Sequence, residues 1–589
     1  ILDDLNDQLA PMGLMFGPET STSNRCMIGG MVGNNAAGSH SIVHGTTRDH
    51  VLEIVAVLAD GSLARFGPLD ADELSARKGG EGLDAAIHRE LCDIVDQRRE
   101  TIVARYPRPE ILRRNNGYPL DHLARMQPWN PDGPPFNLAP FLCGSEGTLA
   151  LVVEVRLNLI PPPANNLVVC CHFRELDEGT RGTVMALEHG PSAVELMDGA
   201  VLELSKHNLE AARNRWWVEG DPGAVLAVEF YDDDPSTLRA RADAMVDAFR
   251  AAGMGYAFPV VESAQVPQVW AVRKAGLGLL TGMPGDRKPV TVVEDVAVAA
   301  ADLPSYVSRM QELMEAHGAE AVYYGHASVG ELHIRPVLSL RDADDLQRFR
   351  DISWAVAELA AEFGASIAGE HGIGRLRGIF LEPLLGEVIY QALRRVKRAF
   401  DPDCLFNPGK IVDAPPNDEN LRVSPERPVP ELPTEFDWSA DQGLLRAAEK
   451  CNGAGTCRKT AGRGTMCPSY MATGDELHST RGRANLLRHL LSGDEPLEGL
   501  ASPELKEALE LCLSCKGCLG ECPSNVDMAR LKAEIMQHHH DVHGTPLSAR
   551  VLGRFGKFAA MARFTPTAAS LLSNTGIAKR TLGVDPRQL

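Results

Sequence analysis

Apolar and polar positions fall in blocks along the chain, and the period of the blocks changes. Residues 50–59, HVLEIVAVLA, form a short apolar run stopped by Asp60-Gly61, the pattern of a buried strand closed by a turn. Residues 148–160 predict a second, partly alternating strand, halted by three prolines at 161–163. Farther on, 224–231, 290–298 and 321–325 read as strands, and 304–317 and 343–362 as helices. Mixed elements of this kind predict an α+β protein. From 414 to 437 the chain is dense in proline and poor in long apolar runs, a linker composition. Beyond it the sequence becomes helical and cysteine-rich. From Thr545 it turns basic, with seven Lys or Arg residues against one acid, Asp585.

Length and charge narrow this picture. A chain of 589 residues exceeds what one hydrophobic core organises, so two to four domains are expected. Lys and Arg number 59 and Asp and Glu 79, a net charge of −20, which argues against nucleic acid as the main partner. No run of about 18 apolar residues is present to span a membrane, and no signal peptide opens the sequence. These features predict a cytoplasmic protein. In the tail 545–589, Arg550, Arg554, Lys557 and Arg563 interleave with apolar residues, which suits peripheral contact with an anionic surface such as the inner face of a membrane. A helix packed on a further domain has the same pattern. The first residue, Ile1, falls inside an apparent helix, so the chain is expected to be a fragment lacking both ends.

Seven of the thirteen cysteines lie between 451 and 522. An odd count without a secretory signal predicts a reducing compartment, with the other six as core residues or inert thiols. Cys512, Cys515, Cys518 and Cys522-Pro523 form the bacterial ferredoxin run C-x2-C-x2-C-x3-C-P. In that run the first three cysteines hold one [4Fe–4S] cluster and the fourth serves another, so Cys467, also before proline, would complete the first set. Zinc, the main alternative, more often joins two short C-x-x-C units. Cys451, Cys457 and Cys522 form a possible second set one thiolate short, because Ala454 stands where a cysteine is needed. A three-iron cluster, a four-iron cluster with a non-cysteine ligand, or no second cluster would each fit; a single cluster is the preferred reading.

The segment 18–51 is rich in glycine. Gly29, Gly30, Gly33 and Gly38 let the backbone approach a ligand, and Asn34, Asn35 and Ser39 offer hydrogen-bonding groups. No strand leads into it, and its spacing is not the dinucleotide fingerprint. Together with 143–153 (CGSEGTLALVV) and 401–411 (DPDCLFNPGKI), it resembles the vanillyl-alcohol-oxidase superfamily of FAD-linked oxidases, in the branch of D-lactate and D-2-hydroxyglutarate dehydrogenases. The resemblance implies FAD held by Pro18, Gly29, Gly30, Asn34, Gly38, Ser145, Gly147, Asn407 and Lys410. The family's pyrophosphate loop is expected upstream of Gly29 and is absent there.

In GHASVGELHIRP, a hairpin tipped at Val329-Gly330 would make His326 and His333 cross-strand partners, with Cβ atoms roughly 5 Å apart. Arg335 would share the face of His333. Gly369-Glu370-His371-Gly372 adds a carboxylate and an imidazole. Taken singly, each histidine reads as well as an ordinary core or surface residue. The D-2-hydroxyglutarate dehydrogenase group of the same family implies more. By that resemblance His326, His333 and Glu370 would bind Zn²⁺ or Mn²⁺, His371 would be the general base, and Arg273, Lys288 and Arg335 would hold carboxylate.

The function implied is an FAD-dependent oxidation of a D-2-hydroxy acid, D-2-hydroxyglutarate first among them, to the 2-oxo acid. Electrons would pass from the flavin to the iron–sulfur centre and on to a quinone or redox protein. A D-lactate or glycolate dehydrogenase is the rival on the same fold. A non-catalytic electron-transfer subunit is the rival of another class, and it would need none of the histidine set. The expected domains are the C-terminal part of a vanillyl-alcohol-oxidase-type FAD-binding domain (1–161), an α/β substrate (cap) domain (162–400), a segment closing the flavin pocket (401–413), a linker (414–440), a helical ferredoxin-like iron–sulfur domain (441–544) and a basic amphipathic tail (545–589) opening a C-terminal region.

Overall fold

Two antiparallel sheets organise the first 428 residues. The smaller contains β1 (Val51–Val57), β2 (Leu63–Phe66) and β3 (Leu151–Leu157) in the order β2-β1-β3. Asp60-Gly61 closes the β1–β2 turn, with Gly61 at φ 81°. The larger sheet contains β4 (Asn165–Phe173), β5 (Ala193–Asp198), β6 (Ala224–Asp232), β7 (Val260–Glu262), β8 (Lys288–Pro289), β9 (Ala321–Gly325) and β10 (His333–Leu338). Their order is β7-β4-β6-β5-β9-β10-β8. The computed structural model describes residues 1–427, 429–459, 464–554, 556–557, 560, 563–564, 566–576 and 579.

Both faces of the larger sheet are covered, which explains why its strands read as nearly unbroken apolar runs. Along β4, Leu167, Val169, Cys171 and Phe173 join the main core with Leu238, Met245 and Phe249 of the helix Pro235–Ala251. The alternate residues Val168 and Cys170 pack instead with Val266, Val269 and Val272 of the helix Val266–Thr281. Cys92, Cys143, Cys170 and Cys171 are buried core residues, whereas Cys404 is exposed.

Two expectations change. Residues 290–298 do not form a strand. Val292, Val293, Val296 and Val298 are all buried, but they line an irregular segment fixed by isolated bridges of Ala297 to Glu331 and Ser366. The valine run reports burial; Glu294 and Asp295 break the ladder because they turn toward His371. Within the glycine-rich segment, Ile28–Asn34 is a short helix capped by Asn35 at φ 50°. His326 and His333 are not cross-strand partners. His333 pairs with Tyr324, and the 3-10 turn Ala327–Val329 carries the chain between the two histidines.

By contact, the chain divides into two units. The first is Ile1–Pro428 with Asn452–Lys459 and Gly520–Asn525; the second is Val429–Cys451, Thr460–Leu519 and Val526–Leu589. The second unit is helical. Thr480–Leu491 packs with Leu444–Glu449, Pro503–Glu510 and Met528–His543 over buried Leu487, Leu491, Leu505, Leu509, Leu531 and Ile535. Both ends of the proline-rich stretch are pinned. Asn417 donates to Ser353 Oγ at 3.2 Å, and buried Glu534 accepts from the Glu435 and Phe436 amides and from Trp438 Nε1. In the basic tail, Leu547–Gly553 is a helix with Leu547 and Leu552 exposed, and 581–589 lies outside the described residues. Among the described residues no helix is long and apolar enough to cross a membrane.

The turn between the histidines tolerates only glycine at 330. Its φ is 72°, and a Cβ there would lie 2.1 Å from the Val298 carbonyl oxygen. Gly330→Ala should therefore destabilise the first unit by about 2 kcal/mol or more, read as a lower urea midpoint for a probe in that unit.

Candidate active site

The site is assembled where β10, the turn before it and two irregular segments meet. β9 and the turn deliver His326, β10 delivers His333 and Arg335, and the loop after the helix Ala343–Glu362 delivers Glu370 and His371. Asp295 shapes that loop. Its carboxylate accepts from the Glu370 and His371 amides at 3.0 and 2.7 Å, and its carbonyl accepts from Gly369 N. One oxygen of Glu370, Oε1, then lies 3.0 Å from His326 Nε2, 3.3 Å from His333 Nε2 and 3.6 Å from His371 Nε2. Two overlapping sets, His326–Glu331–His333–Glu370 and Asp295–His333–Glu370–His371, have ligand atoms within 4.8 Å of one another. Two imidazoles and a carboxylate suit a divalent transition metal or zinc. The donor set therefore fits a metal.

The three histidines are held in different states. Burial pushes His333 down to about 4, aided by the neighbouring imidazoles, so it is neutral and its lone pair is available. Burial also opposes protonation of His371, but Asp295 and Glu294 outweigh it and raise its pKa. His371 Nδ1 faces Glu294 at 3.2 Å and Asp295 at 3.3 Å. Nε2 is left as the nitrogen that can exchange a proton. His326 Nδ1 lies 2.5 Å from Glu195 Oε1 on β5. Against burial, His326 and the Arg113 guanidinium hold Glu370 well below the usual carboxylate range. Arg113, fully buried, lies 3.2 Å from both Glu331 and Glu370, and it also donates to the Gly38 carbonyl and to Ser41 Oγ.

These groups open on a cavity of about 480 Å³, within the usual range for small-molecule sites. Gly30, Asn34 and Gly38 line it beside Arg273, Lys274, Tyr324, His326, His333, Arg335, Glu370 and His371. Arg273 and Arg335 lie 5.2 and 5.9 Å from the Tyr324 ring centroid. The face of the helix Ile28–Asn34 is bare: a Cβ at Gly29, Gly30 or Gly33 would meet no atom within 4 Å. That is room for a flat group against backbone, so the residues present fit a flavin ring.

Ser145 and Gly147 flank Glu146, which clips this helix to the Glu370 loop. Its amide donates to the Gly33 carbonyl, its carboxylate accepts from Ile373 and Gly374, and its carbonyl accepts from Asn407 Nδ2 at 2.8 Å. The Lys410 charge acts on the same carboxylate. Pro18 and Gly29 do not line the cavity. Neither does Lys288, whose ammonium donates to the Met283 carbonyl at the sheet edge. The lysine in the cavity is Lys274, beside Arg273 on the same helix. Sequence reading also missed Arg113, Glu195, Glu294 and Asp295. An acid inside a buried apolar run, as in AVELMD and TVVEDVAV, was the available signal.

In the second unit, Cys467, Cys512, Cys515 and Cys518 converge on one small cavity. Ser514 and Lys516, at φ 51° and 59°, curl the loop so that cysteines three apart face inward. Burial raises the Cys467 thiol, but the Ser469 hydroxyl and the Arg483 guanidinium outweigh it and lower the pKa. Arg483 Nη1 donates to Cys467 Sγ at 3.6 Å. Four converging thiols beside a buried cation fit a cluster. Of the other three cysteines, Cys457 and Cys522 fall in the first unit and Cys451 in the second. Within the first unit, Pro523 approaches the helix Val266–Thr281 so closely that a Cβ on Gly278 would lie 2.2 Å from it.

Residues 1–67 match the FAD binding domain family, 162–411 the FAD linked oxidases, C-terminal domain, and 447–526 the 4Fe-4S dicluster domain. This chain carries the domains of an FAD-linked oxidase fused to a 4Fe-4S domain. It is 32% identical over 596 residues to D-2-hydroxyglutarate dehydrogenase of Pseudomonas putida, covering 94% of this chain and 58% of that protein. Identity to the Escherichia coli protein of the same name is 30%, covering 98% and 60%. Identity to D-lactate dehydrogenase of Archaeoglobus fulgidus is 26%, covering 70% and 75%. The chain thus spans about three-fifths of the length of the D-2-hydroxyglutarate dehydrogenases it matches.

Arg113 offers a direct test of how this site is held. Arg113→Met would leave Glu331, Glu370 and the Gly38 carbonyl without their shared cation in a dry interior. The expected cost is about 3–5 kcal/mol of stability, measured by equilibrium denaturation against the parent protein.

Proposed function

We propose that the protein is an FAD-dependent dehydrogenase that oxidises D-2-hydroxyglutarate to the 2-oxo acid and passes the electrons to its iron–sulfur centre. The observation that carries this reading is the convergence, in one cavity, of a two-histidine, one-carboxylate donor set, an oriented third histidine and the cations Arg273, Lys274 and Arg335. His326, His333 and Glu370 would hold zinc or manganese, which supplies Lewis acidity to the substrate hydroxyl. FAD supplies the hydride acceptor, and the cluster supplies one-electron transfer. His371 takes the hydroxyl proton at Nε2, since Nδ1 is committed to Glu294 and Asp295. Arg273 and Arg335 fork onto carboxylate oxygens, and Lys274 adds a point charge. Arg273 and Arg335, both buried, and the exposed Lys274 offer more cationic donors than the single carboxylate of lactate or glycolate would use, which suits a diacid. The final acceptor is a quinone or a redox protein, and the helix Leu547–Gly553, with Arg550, the capping Arg554 and exposed Leu547 and Leu552, suits contact with an anionic membrane face.

Anaerobic addition of D-2-hydroxyglutarate should bleach the bound flavin, while the L enantiomer and D-lactate should bleach it at least tenfold more slowly. Bleaching by neither hydroxyglutarate enantiomer, or by L alone, would discard the assignment. Equal rates with D-lactate would move it to the monoacid.

The cluster count follows from the ligands. Cys467, Cys512, Cys515 and Cys518 make one complete set, and the trio Cys451, Cys457 and Cys522 lacks a fourth thiolate at Ala454. Iron analysis should give about four irons per chain with one signal in the reduced protein. About seven irons with an oxidised three-iron signal, or about eight with two coupled signals, would assign a second cluster to the trio.

A further inference from the structure

Glu195 lies outside the cavity lining and outside the residues that would touch metal or substrate, yet it bonds to one of each. It stands on β5, fully buried, where the apolar run AVELMD passes beneath the site. Its two carboxylate oxygens are divided between two donors. Oε1 lies 2.5 Å from His326 Nδ1, and Oε2 accepts from Arg273 Nε at 2.6 Å.

Each contact decides what its partner can do on the other side. With Nδ1–H donating to the carboxylate, His326 keeps the lone pair on Nε2, the nitrogen 3.0 Å from Glu370 Oε1 and turned to the donor set. With Nε tied back, the Arg273 guanidinium is fixed against the Tyr324 ring, 5.2 Å from its centroid, on the cavity wall. A single rigid acid thus sets both an imidazole tautomer and a guanidinium orientation. No second carboxylate could replace it from β5, because its neighbours in the strand face are apolar and equally buried.

We propose that Glu195 is a positioning residue that ties the metal site to the carboxylate site, so that losing it weakens both. The inference rests on the metal reading given under Proposed function. An amide at this position cannot serve both donors. If its NH₂ faces His326, the imidazole must turn Nδ1 into the acceptor, and Nε2–H then points into the donor set. If its NH₂ faces Arg273, two donors oppose each other and the guanidinium is released.

The test compares the parent protein with Glu195→Gln, Glu195→Asp and His326→Ala. Zinc affinity is measured by competition with a chromophoric chelator. The second reading is the dissociation constant of glutarate, a diacid lacking the reacting hydroxyl, followed by perturbation of the flavin spectrum. The parent should bind one zinc, and His326→Ala should bind none. Glu195→Gln should bind zinc about 10- to 100-fold more weakly and glutarate several-fold more weakly, with the flavin content unchanged. Glu195→Asp keeps the charge but is one methylene too short to reach both donors, so it should lose one of the two affinities and retain the other. It also provides the reading if Glu195→Gln fails to fold. Zinc and glutarate affinities in both Glu195 variants within threefold of the parent would overturn the proposal while leaving the metal reading intact. A parent protein that binds no zinc or manganese would overturn the metal reading and this inference with it.

Discussion

A guanidinium with no access to water must be surrounded by its counter-charges, and the placement of Arg113 follows from that constraint. Three segments far apart in sequence supply what it needs: the Gly38 carbonyl and Ser41 hydroxyl from the glycine-rich region, Glu331 from the turn between the histidines, and Glu370 from the loop before His371. Each of those segments also carries a wall of the cavity. Folding the site is therefore coupled to satisfying one charge. A buried ion pair gives little net stability against a well-packed apolar alternative. Its use here is registry, because this arrangement of the three segments brings a carbonyl, a hydroxyl and two carboxyl groups to the same cation.

Around this charge the acids are numerous, and they do not behave alike. Glu370 is pulled well down by His326 and Arg113. Glu331 is pushed well above the usual range by its burial, with Asp295 and Glu370 adding to the effect. Asp295 acts mainly through the backbone, pinning the amides of the Glu370–His371 loop. Glu294 is shared between His371 and Arg377, at 3.2 and 2.9 Å. Close packing reinforces these choices. Gly369 has no side chain because a Cβ there would overlap Glu331, and Gly372, at φ 78°, lies against Glu146 and Asn34. Glycine in this loop is demanded by neighbours as much as by backbone angle.

How much of this was legible in the sequence depended on whether the signal was local. The helix 343–362 was readable to the residue, since its capping Asp342 and its 3.6-residue pattern lie within one window. The strands 224–231 and 321–325 were readable from apolar runs. The run 290–298 misled because burial and strand pairing leave the same trace in hydrophobicity, and only pairing makes a strand. His326 and His333 do lie side by side, but through a geometry other than the one expected. A hairpin was the simplest way to bring positions seven apart together, whereas the chain uses a 3-10 turn and pairs His333 with Tyr324. Lys288 came from the family resemblance, and a resemblance in order and separation cannot tell which face of a helix or edge of a sheet looks into a cavity. The partners of Glu195 and Arg113 could not be read from the sequence, because they lie 72 to 257 residues away and only the fold brings them together.

The same geometry explains how imidazoles packed together can serve different ends. His333 and His371 stack at 4.7 Å, and His326 lies edge-on to His333 at 5.2 Å. Left to themselves, such neighbours would repel one another's protons equally. The surroundings break that equivalence. His333 is enclosed by Tyr324 and the other imidazoles and is kept neutral by burial. His371 retains about a third of its side-chain surface and has two acids at Nδ1, so its affinity for a proton rises. His326 is paired with an acid that the sheet holds rigid. Under the proposed function a ligand must offer a lone pair and a base must bind a proton, and pushing the affinities of adjacent imidazoles apart would meet both demands. The separation depends on acids that approach from behind, on β5 and on the segment 290–298. For that reason the chemistry of this site is set less by the residues facing the cavity than by those behind them.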